Sequence, residues 1–456
     1  MKKIKFILLF GIIFFILSCA TEHYKKPDIP LPATEKNVKF KNLKWWELFN
    51  DKTLKQLIST ALKNNDNLKM AFLKIKEAEA GVNLSVANEY PIITGNIKTE
   101  RSKLSKEYYS YKMLKNNLFI NGKVSYEVDL WQKLRSRTKA SISKLLSVKA
   151  IANVLKLEII SETVYTYLNI VAVNNELLIV KNILKNYFDI YKYREKQYKH
   201  GIIDEFTLEQ ARAEYLSIKS SIDSLNEDRV ALESKLSLLT GETPRNTFNK
   251  KYKIRRIFNY NLKIIGFIPS EILNKRPDIK AAEENLKAAN FNVAAAKAAF
   301  FPEINLTAAG GLQSNSLSSL LNFSASTWSI AGNLFQSIFD FGRIKSNVKI
   351  MKTERREAAI NYVKTVKKAF NEIYDYLNRI KYCENKIKKQ INYLSSLNKL
   401  LVLANKKFNV GTTEYLSVLD AQRRMLQANL NLIKYKIELM KYKILFYKAL
   451  GIGLDY

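Results

Sequence analysis

Cysteine and histidine are almost missing from this 456-residue chain, with two of each. Cys19 and Cys383 alone provide neither a disulfide framework nor the ligand spacing of a zinc site. His23 and His200 stand far apart in unrelated contexts, so a histidine-based triad has no material. A glycine-rich phosphate loop is absent as well. An enzyme would need an all-carboxylate or lysine mechanism, and no suggestive cluster stands out. No catalytic residue, no metal ligand and no dissociable cofactor is therefore expected.

Acids are also scarce, 42 against 75 basic residues, for a formal charge of +33. That excess invites a nucleic-acid partner. Against it, the lysines are spread evenly, without a basic tail or a recognisable nucleic-acid module. Lysine, asparagine and isoleucine are abundant together, which fits coding drift. No nucleic acid is expected as partner. Proline and glycine, at 8 and 14, are few and unevenly placed. Between Gln132 and Thr240 the only glycine is Gly201, and between Arg343 and Leu450 it is Gly411, with no proline in either stretch.

What is present begins with an address. MKKIKFILLFGIIFFILSCA carries Lys2, Lys3 and Lys5 and then an apolar run from Phe6 to Leu17. This is a signal-peptide pattern, shorter than the roughly 20 apolar residues of a spanning helix. Ile16-Leu17-Ser18-Cys19 resembles a bacterial lipobox. Cleavage there would leave Cys19 as the lipidated first residue and Cys383 as the free thiol. The other reading is an ordinary signal peptide with an incidental cysteine.

The chain is then written twice. Tyr90-Pro91-Ile92-Ile93 corresponds to Phe301-Pro302-Glu303-Ile304, 211 positions on. Ala71, Ala78 and Ala87 match Ala282, Ala289 and Ala298, and Asp129 falls on Asp340. Gly201 pairs with Gly411 and Gly241 with Gly451 at a separation of 210. Such constant spacing marks a tandem duplication. In each half a helical stretch, 50–90 or 270–301, runs up to a proline that cannot continue it.

Alternation follows. Leu118, Ile120, Gly122, Val124, Tyr126, Val128 and Leu130 face one way, and Asn121, Lys123, Ser125, Glu127 and Asp129 the other. Ile304, Leu306 and Ala308, then Trp328, Ile330, Gly332, Leu334 and Ile338 repeat the pattern. A two-residue period with one apolar and one polar face is that of a strand. Each half thus supplies a hairpin of strands about 9–13 residues long, enough to cross a bilayer when tilted. A soluble sheet with a half-buried face would share the pattern. Four strands cannot close around a pore, and an open edge in lipid leaves backbone groups unpaired. Spanning strands therefore require several chains to share one barrel, and three would give twelve strands.

After the strands, apolar residues recur at threes and fours: Leu177, Val180, Leu184, Tyr187 and Tyr191, then Val363, Val366, Phe370, Ile373 and Leu377. That is coiled-coil-like packing. A lone glycine between two such helices marks a reversal.

In this order of elements the chain resembles the TolC-like outer-membrane factors of tripartite efflux pumps, in the lipidated branch that serves resistance–nodulation–division pumps. The resemblance rests on Tyr24-Lys25-Lys26-Pro27, Trp45-Trp46, Asn274-Lys275-Arg276-Pro277-Asp278, Asp340-Phe341-Gly342-Arg343 and Val410-Gly411-Thr412. It implies a long antiparallel α-helical barrel joined to a transmembrane β-barrel, four strands per protomer, both completed by trimerisation. It also implies a passive exit duct for drugs or other small toxic compounds, held in the bacterial outer membrane with its helices in the periplasm.

The corresponding divisions are a signal peptide 1–18, a lipidated extended segment 19–49, and two repeats, 50–265 and 266–456. The implied partners are a second and third copy of the chain, a periplasmic adaptor, an inner-membrane pump of that class and outer-membrane lipid. The adaptor would dock on tips at Val410-Gly411-Thr412 and at Gly201-Ile202, where His200-Gly201-Ile202 departs from the family pattern. A periplasmic gate would fall at Asp420, at Ser417 where relatives carry a second acid, and at Thr413 where they carry a basic residue. Three converging Asp420 carboxylates would favour cations there. Two other functions fit the same elements: the outer-membrane part of a protein secretion system, and a structural periplasm-spanning lipoprotein.

Overall fold

The computed structural model describes residues 24–27, 44–103, 107, 114–243 and 276–453. Cys19 and the signal segment, and Asn274 and Lys275, lie outside the described residues. A short helical turn, Trp45–Phe49, leads into α1 (Lys52–Asn64) and α2 (Asp66–Ala87). Strands β1 (Ile92–Lys103) and β2 (Leu114–Glu127) precede α3 (Lys133–Lys199) and α4 (Glu205–Thr240). The second half repeats the order with α5 (Pro277–Ala298), β3 (Glu303–Ser314), β4 (Ser326–Phe335), α6 (Arg343–Asn409) and α7 (Tyr415–Ala449).

The first helical stretch is not continuous as its composition suggests. It breaks at Asn65, whose Oδ1 accepts from the Leu68 amide at 3.2 Å and caps α2. Asparagine suits a cap because its short side chain replaces a missing intrahelical partner. Both α2 and α5 end a turn before Pro91 and Pro302. The strands hold 12, 14, 12 and 10 residues, so β2 slightly exceeds the expected length. Val128, Leu130 and Ile338 fall outside the strands that the alternation assigned them to. Beyond Phe335 the chain turns into α6, and Ile338 stands 98% exposed.

The residues divide into two compact units, each drawing on both halves of the duplication. One comprises, among the described residues, 24–27, 74–103, 107, 114–149 and 281–364 and contains the sheet, in the order β1-β2-β3-β4, antiparallel throughout. The pairing of β2 with β3 joins the two halves. At the base of this sheet the Trp131 indole stacks on Phe301, 4.7 Å between centroids, and donates to the Pro302 carbonyl at 2.8 Å. Lys133 bridges Glu127 of β2 and Glu303 of β3.

The strand-to-helix junctions are built alike. Asp129 accepts from the Leu134 and Arg135 amides, both at 2.9 Å. Asp340 accepts from Gly342 at 2.9 Å and Ile344 at 2.8 Å. These carboxylates satisfy amides that have no partner within a helix's first turn. Gln132 takes φ 58°, a conformation that costs a side-chain-bearing residue more than glycine.

The other unit comprises, among the described residues, 44–73, 150–243, 276–280 and 365–453. Its core gathers Trp45, Phe49, Leu54 and Ile58 with Ile160, Val164 and Leu168 of α3, Leu236 of α4 and Ile444 of α7. Trp45 is fully buried and stacks on Tyr447 at 6.0 Å. The threes-and-fours periodicity holds: Leu177, Val180, Tyr187, Val366 and Ile373 are buried.

Candidate functional site

Side chains directly opposite one another in an antiparallel pair point to the same face, so the register sorts the whole sheet. Ile97, Ile120 and Leu312 lie in one row, and Ile93, Val124, Ala308 and Ile330 in another. Gly95, Gly122, Gly310 and Trp328 make a third row on the same face. The opposite face shows Thr94, Lys123, Ala309 and Ser329, and beside them Asn96, Asn121, Gly311 and Thr327.

The apolar face is open in the single chain: Ile93, Ile97, Trp328 and Ile330 are each at least 75% exposed. A soluble sheet would bury such a face. No helix among the described residues is long and apolar enough to cross a membrane, whereas the sheet presents a contiguous exposed apolar face.

The tips form a second candidate region. Gly201 and Gly411 both take left-handed backbone, φ 67° and 72°. The Ile202 amide donates to the Gln197 carbonyl and the Thr412 amide to that of Lys407, each at 2.9 Å. This six-to-one closure ends a helix and reverses the chain. Ile202 and Val410 stand 66% and 73% exposed. Asp204 caps α4 through the Thr207 amide at 3.0 Å, whereas Glu414 makes no such bond at α7.

Thr413, Ser417 and Asp420 come together on one side of the start of α7, where the Thr413 and Ser417 hydroxyls are 3.1 Å apart. They border a cavity of about 670 Å³ with Glu214, Leu400 and Lys407. Asp420 is not isolated in the chain. Arg423 reaches it at 3.1 Å and Arg424 at 2.7 Å, so its charge is offset within its own helix. The sequence reading missed both arginines, although their i+3 and i+4 spacing from an acid was the available signal.

It also missed Arg194 on α3, which is 6% exposed. Its guanidinium lies 4.3 Å from the Tyr415 ring centroid and 5.7 Å from that of Phe408, holding α3 to the second tip by cation–π contact. Burial pushes the Tyr415 hydroxyl well above its usual range. No sequence signal separates this arginine from its exposed neighbours.

Further along, Glu176 borders a cavity of about 760 Å³ with Asn431, Lys434 and Glu438. Burial, and then the nearby Asp228, raise its pKa to about 7. Cys383 is buried, donates to the Tyr435 carbonyl at 3.3 Å, and has its thiol pushed by burial to about 11. Among the described residues no group of three or more histidine, cysteine or acidic side chains could hold a metal.

The family model for outer membrane efflux proteins matches residues 57–242 and 268–451. Cation efflux system protein CusC of Escherichia coli K12 is 30% identical over 443 residues, spanning 94% of this chain and 95% of that protein. Salmonella typhimurium SilC, named "Probable outer membrane lipoprotein", is 29% identical over 99% of each chain. The crystal structure of the Campylobacter jejuni CmeC outer membrane channel superposes with a TM-score of 0.87 at 27% identity, covering 94% and 95% of the two chains.

Proposed function

The chain belongs to the outer membrane efflux protein family, and on that footing we propose that three copies share one twelve-stranded barrel and one helical tunnel. It is an outer-membrane channel of a tripartite efflux system. The observation that carries the threefold reading is the sheet: among the described residues it has four strands, an exposed apolar face, and β1 and β4 each paired on one side only. Open edges cost several kcal/mol per unpaired group in lipid, and single-chain barrels need about eight strands at least. Identical copies joining β4 to β1 remove every edge.

In this reading the apolar rows of Ile93 and Ile97 meet lipid, and the rows of Lys123 and Asn121 line water. The duct is passive, with no chemistry of its own, and is opened by an energised inner-membrane pump of the resistance–nodulation–division class. A periplasmic adaptor docks at the tips, where Ile202 and Val410 present exposed aliphatic surface. Cys19 carries the lipid anchor, a reading in line with the lipoprotein naming of SilC. Thr413, Ser417 and Asp420 form the periplasmic constriction. The cargo is drugs or other small toxic compounds, and its selection rests with the pump. CusC is named for cations, which makes metal cations one cargo to test.

Native mass spectrometry of the detergent-extracted protein, followed by planar-bilayer conductance, tests the proposal. Three chains per particle and discrete ion-conducting steps are expected. A monomer, or a trimer that conducts nothing even when Asp420 is replaced, would overturn it.

A further inference from the structure

Lysines are spread along the chain, but acids are not. From Lys133 to Lys149, at the start of α3, there are six basic residues and no acid. From Arg343 to Thr353, at the start of α6, there are four basic residues and again no acid. Both runs begin just past a strand, since β2 ends at Glu127 and β4 at Phe335. The far ends of the same helical hairpins are mixed, with Glu195, Asp204 and Glu205 at one tip and Glu414 and Asp420 at the other.

Arg135, Lys139, Lys345, Lys349 and Lys352 are all exposed, and none has a carboxylate partner among the described residues. The two ends of the first run are compensated, Lys133 by Glu127 and Glu303 and Lys149 by Glu79 at 2.9 Å, which leaves the cations between them to the collar. Burial along the start of α3 alternates: Leu134, Ser136, Thr138 and Ala140 are buried and the residues between them are exposed. A helix advances 100° per residue, so this alternation means that α3 is covered on two opposite sides and open on two. One open side carries Arg135, Lys139, Ile142 and Leu146. The other carries Arg137 and Lys144, with Ser141 and Val148 half-buried beside them. Only the first mixes cations with exposed aliphatic side chains, Ile142 at 42% and Leu146 at 40%. Such a surface suits the boundary between hydrocarbon and water. On α6, Lys345, Lys349 and Lys352 share one side at i, i+4 and i+7.

We propose that the two acid-free runs form a basic collar that holds the phosphate headgroups of anionic phospholipids in the leaflet bordering the helical end of the sheet. This rests on the sheet being the membrane-spanning element. At about 1.5 Å rise per residue, Lys139 and Lys349 each lie roughly 9 Å from the start of their helix. That is about one Debye length at physiological ionic strength, and headgroups extend several Å beyond the hydrocarbon. Lipid phosphates supply the counter-charge that the sequence omits, and the aliphatic stems of lysine and arginine reach them along an apolar surface.

The test reconstitutes the full-length protein in nanodiscs of equal parts phosphatidylglycerol and phosphatidylcholine. Lipids retained through gentle extraction are then identified by mass spectrometry. Phosphatidylglycerol is expected to be enriched about fivefold at the retained positions, the preference that one cation near an anionic surface confers. The enrichment should collapse when salt is raised to about 0.5 M. The combined variant Arg135→Gln, Lys139→Gln, Lys345→Gln and Lys349→Gln should lose it. A second variant, Lys367→Gln, Lys388→Gln, Lys389→Gln and Lys399→Gln, changes the same charge further along α6 and should keep it. Heat-modifiable migration reports that each variant forms its barrel, and the salt series on the unaltered protein stands if one does not. Equal retention of the two lipids, or equal loss in both variants, would overturn the collar. Failure to enter the discs would overturn the duct reading as well, whereas entry without headgroup preference overturns the collar alone.

Discussion

Asn65 and Arg276 stand 211 positions apart and do the same thing. Asn65 Nδ2 donates to the Leu239 carbonyl at 2.9 Å, and an Arg276 guanidinium nitrogen donates to the Ala449 carbonyl at 2.8 Å. Each acceptor sits at the C-terminal end of a returning helix, α4 or α7, where carbonyls lack intrahelical partners. The duplication therefore extends to a side-chain contact, although the two residues differ in type. Arg276 carries more, because it also binds Asp278 and Glu372 at 2.8 and 2.9 Å with its side chain only 8% exposed. Removing one partner of a buried ion pair costs about 3–5 kcal/mol, whereas losing the neutral hydrogen bond of Asn65 together with its helix cap costs about 2 kcal/mol. Arg276→Ala should accordingly lower the midpoint of thermal unfolding in detergent far more than Asn65→Ala, read from the helical circular dichroism signal. Equal shifts would contradict this division of labour.

Glu176 gives a pH dependence with a definite sign. Its folded pKa of about 7 lies above the ordinary 4.5, so the folded state holds the proton more tightly than the unfolded chain. That contribution is complete below about pH 4.5 and is lost as pH rises through 7. The carboxyl is partly solvated, so after screening the loss is about 1–2 kcal/mol. Glu176→Gln should flatten stability between pH 5 and 8 and exceed the unaltered protein at pH 8. Parallel pH curves for the two proteins would refute it.

Gly311 is the most closely approached glycine of the sheet. A Cβ there would overlap the Ile120 carbonyl oxygen and lie 2.6 Å from Asn121 Cα, both backbone atoms that cannot yield without moving β2. At Gly95 a Cβ would meet nothing within 4 Å. Gly311→Ala should abolish heat-modifiable barrel migration, and Gly95→Ala should leave it intact. The β2–β3 seam joins the two halves of the duplication, so a defect there would separate the hairpins while leaving each one paired internally.

Much of this was legible in the sequence because it depends on spacing. Two lone glycines in long glycine-free stretches located both tips, and alternation sorted the sheet faces as the register places them. What could not be read depends on which neighbour a side chain meets. Nothing in Lys63-Asn64-Asn65-Asp66 announces a helix break, since the Leu239 carbonyl that rewards Asn65 lies 174 positions away. Ile338 continues the strand period on paper, yet the turn toward Asp340 removes it from β4. Arg194 is buried only because Phe408 and Tyr415 fold over it. The Asp420 ion pairs were local and could have been anticipated, but attention to a carboxylate alone left its arginines out.

In the proposed constriction those arginines would change what Asp420 does to permeation. A ring of bare carboxylates would attract cations, whereas each Asp420 here sits between Arg423 and Arg424, and Arg423 also approaches Glu214 at 4.0 Å. Removing the acid therefore releases two guanidinium groups as well as deleting a negative charge. Asp420→Asn should move the zero-current potential of the reconstituted channel in a salt gradient toward anion preference, by a change of about two- to threefold in permeability ratio. Asp420→Asn combined with Arg424→Gln restores the local charge and should return the ratio close to its starting value. If the single and double variants shift the potential alike, the carboxylate acts alone and Arg424 is a bystander.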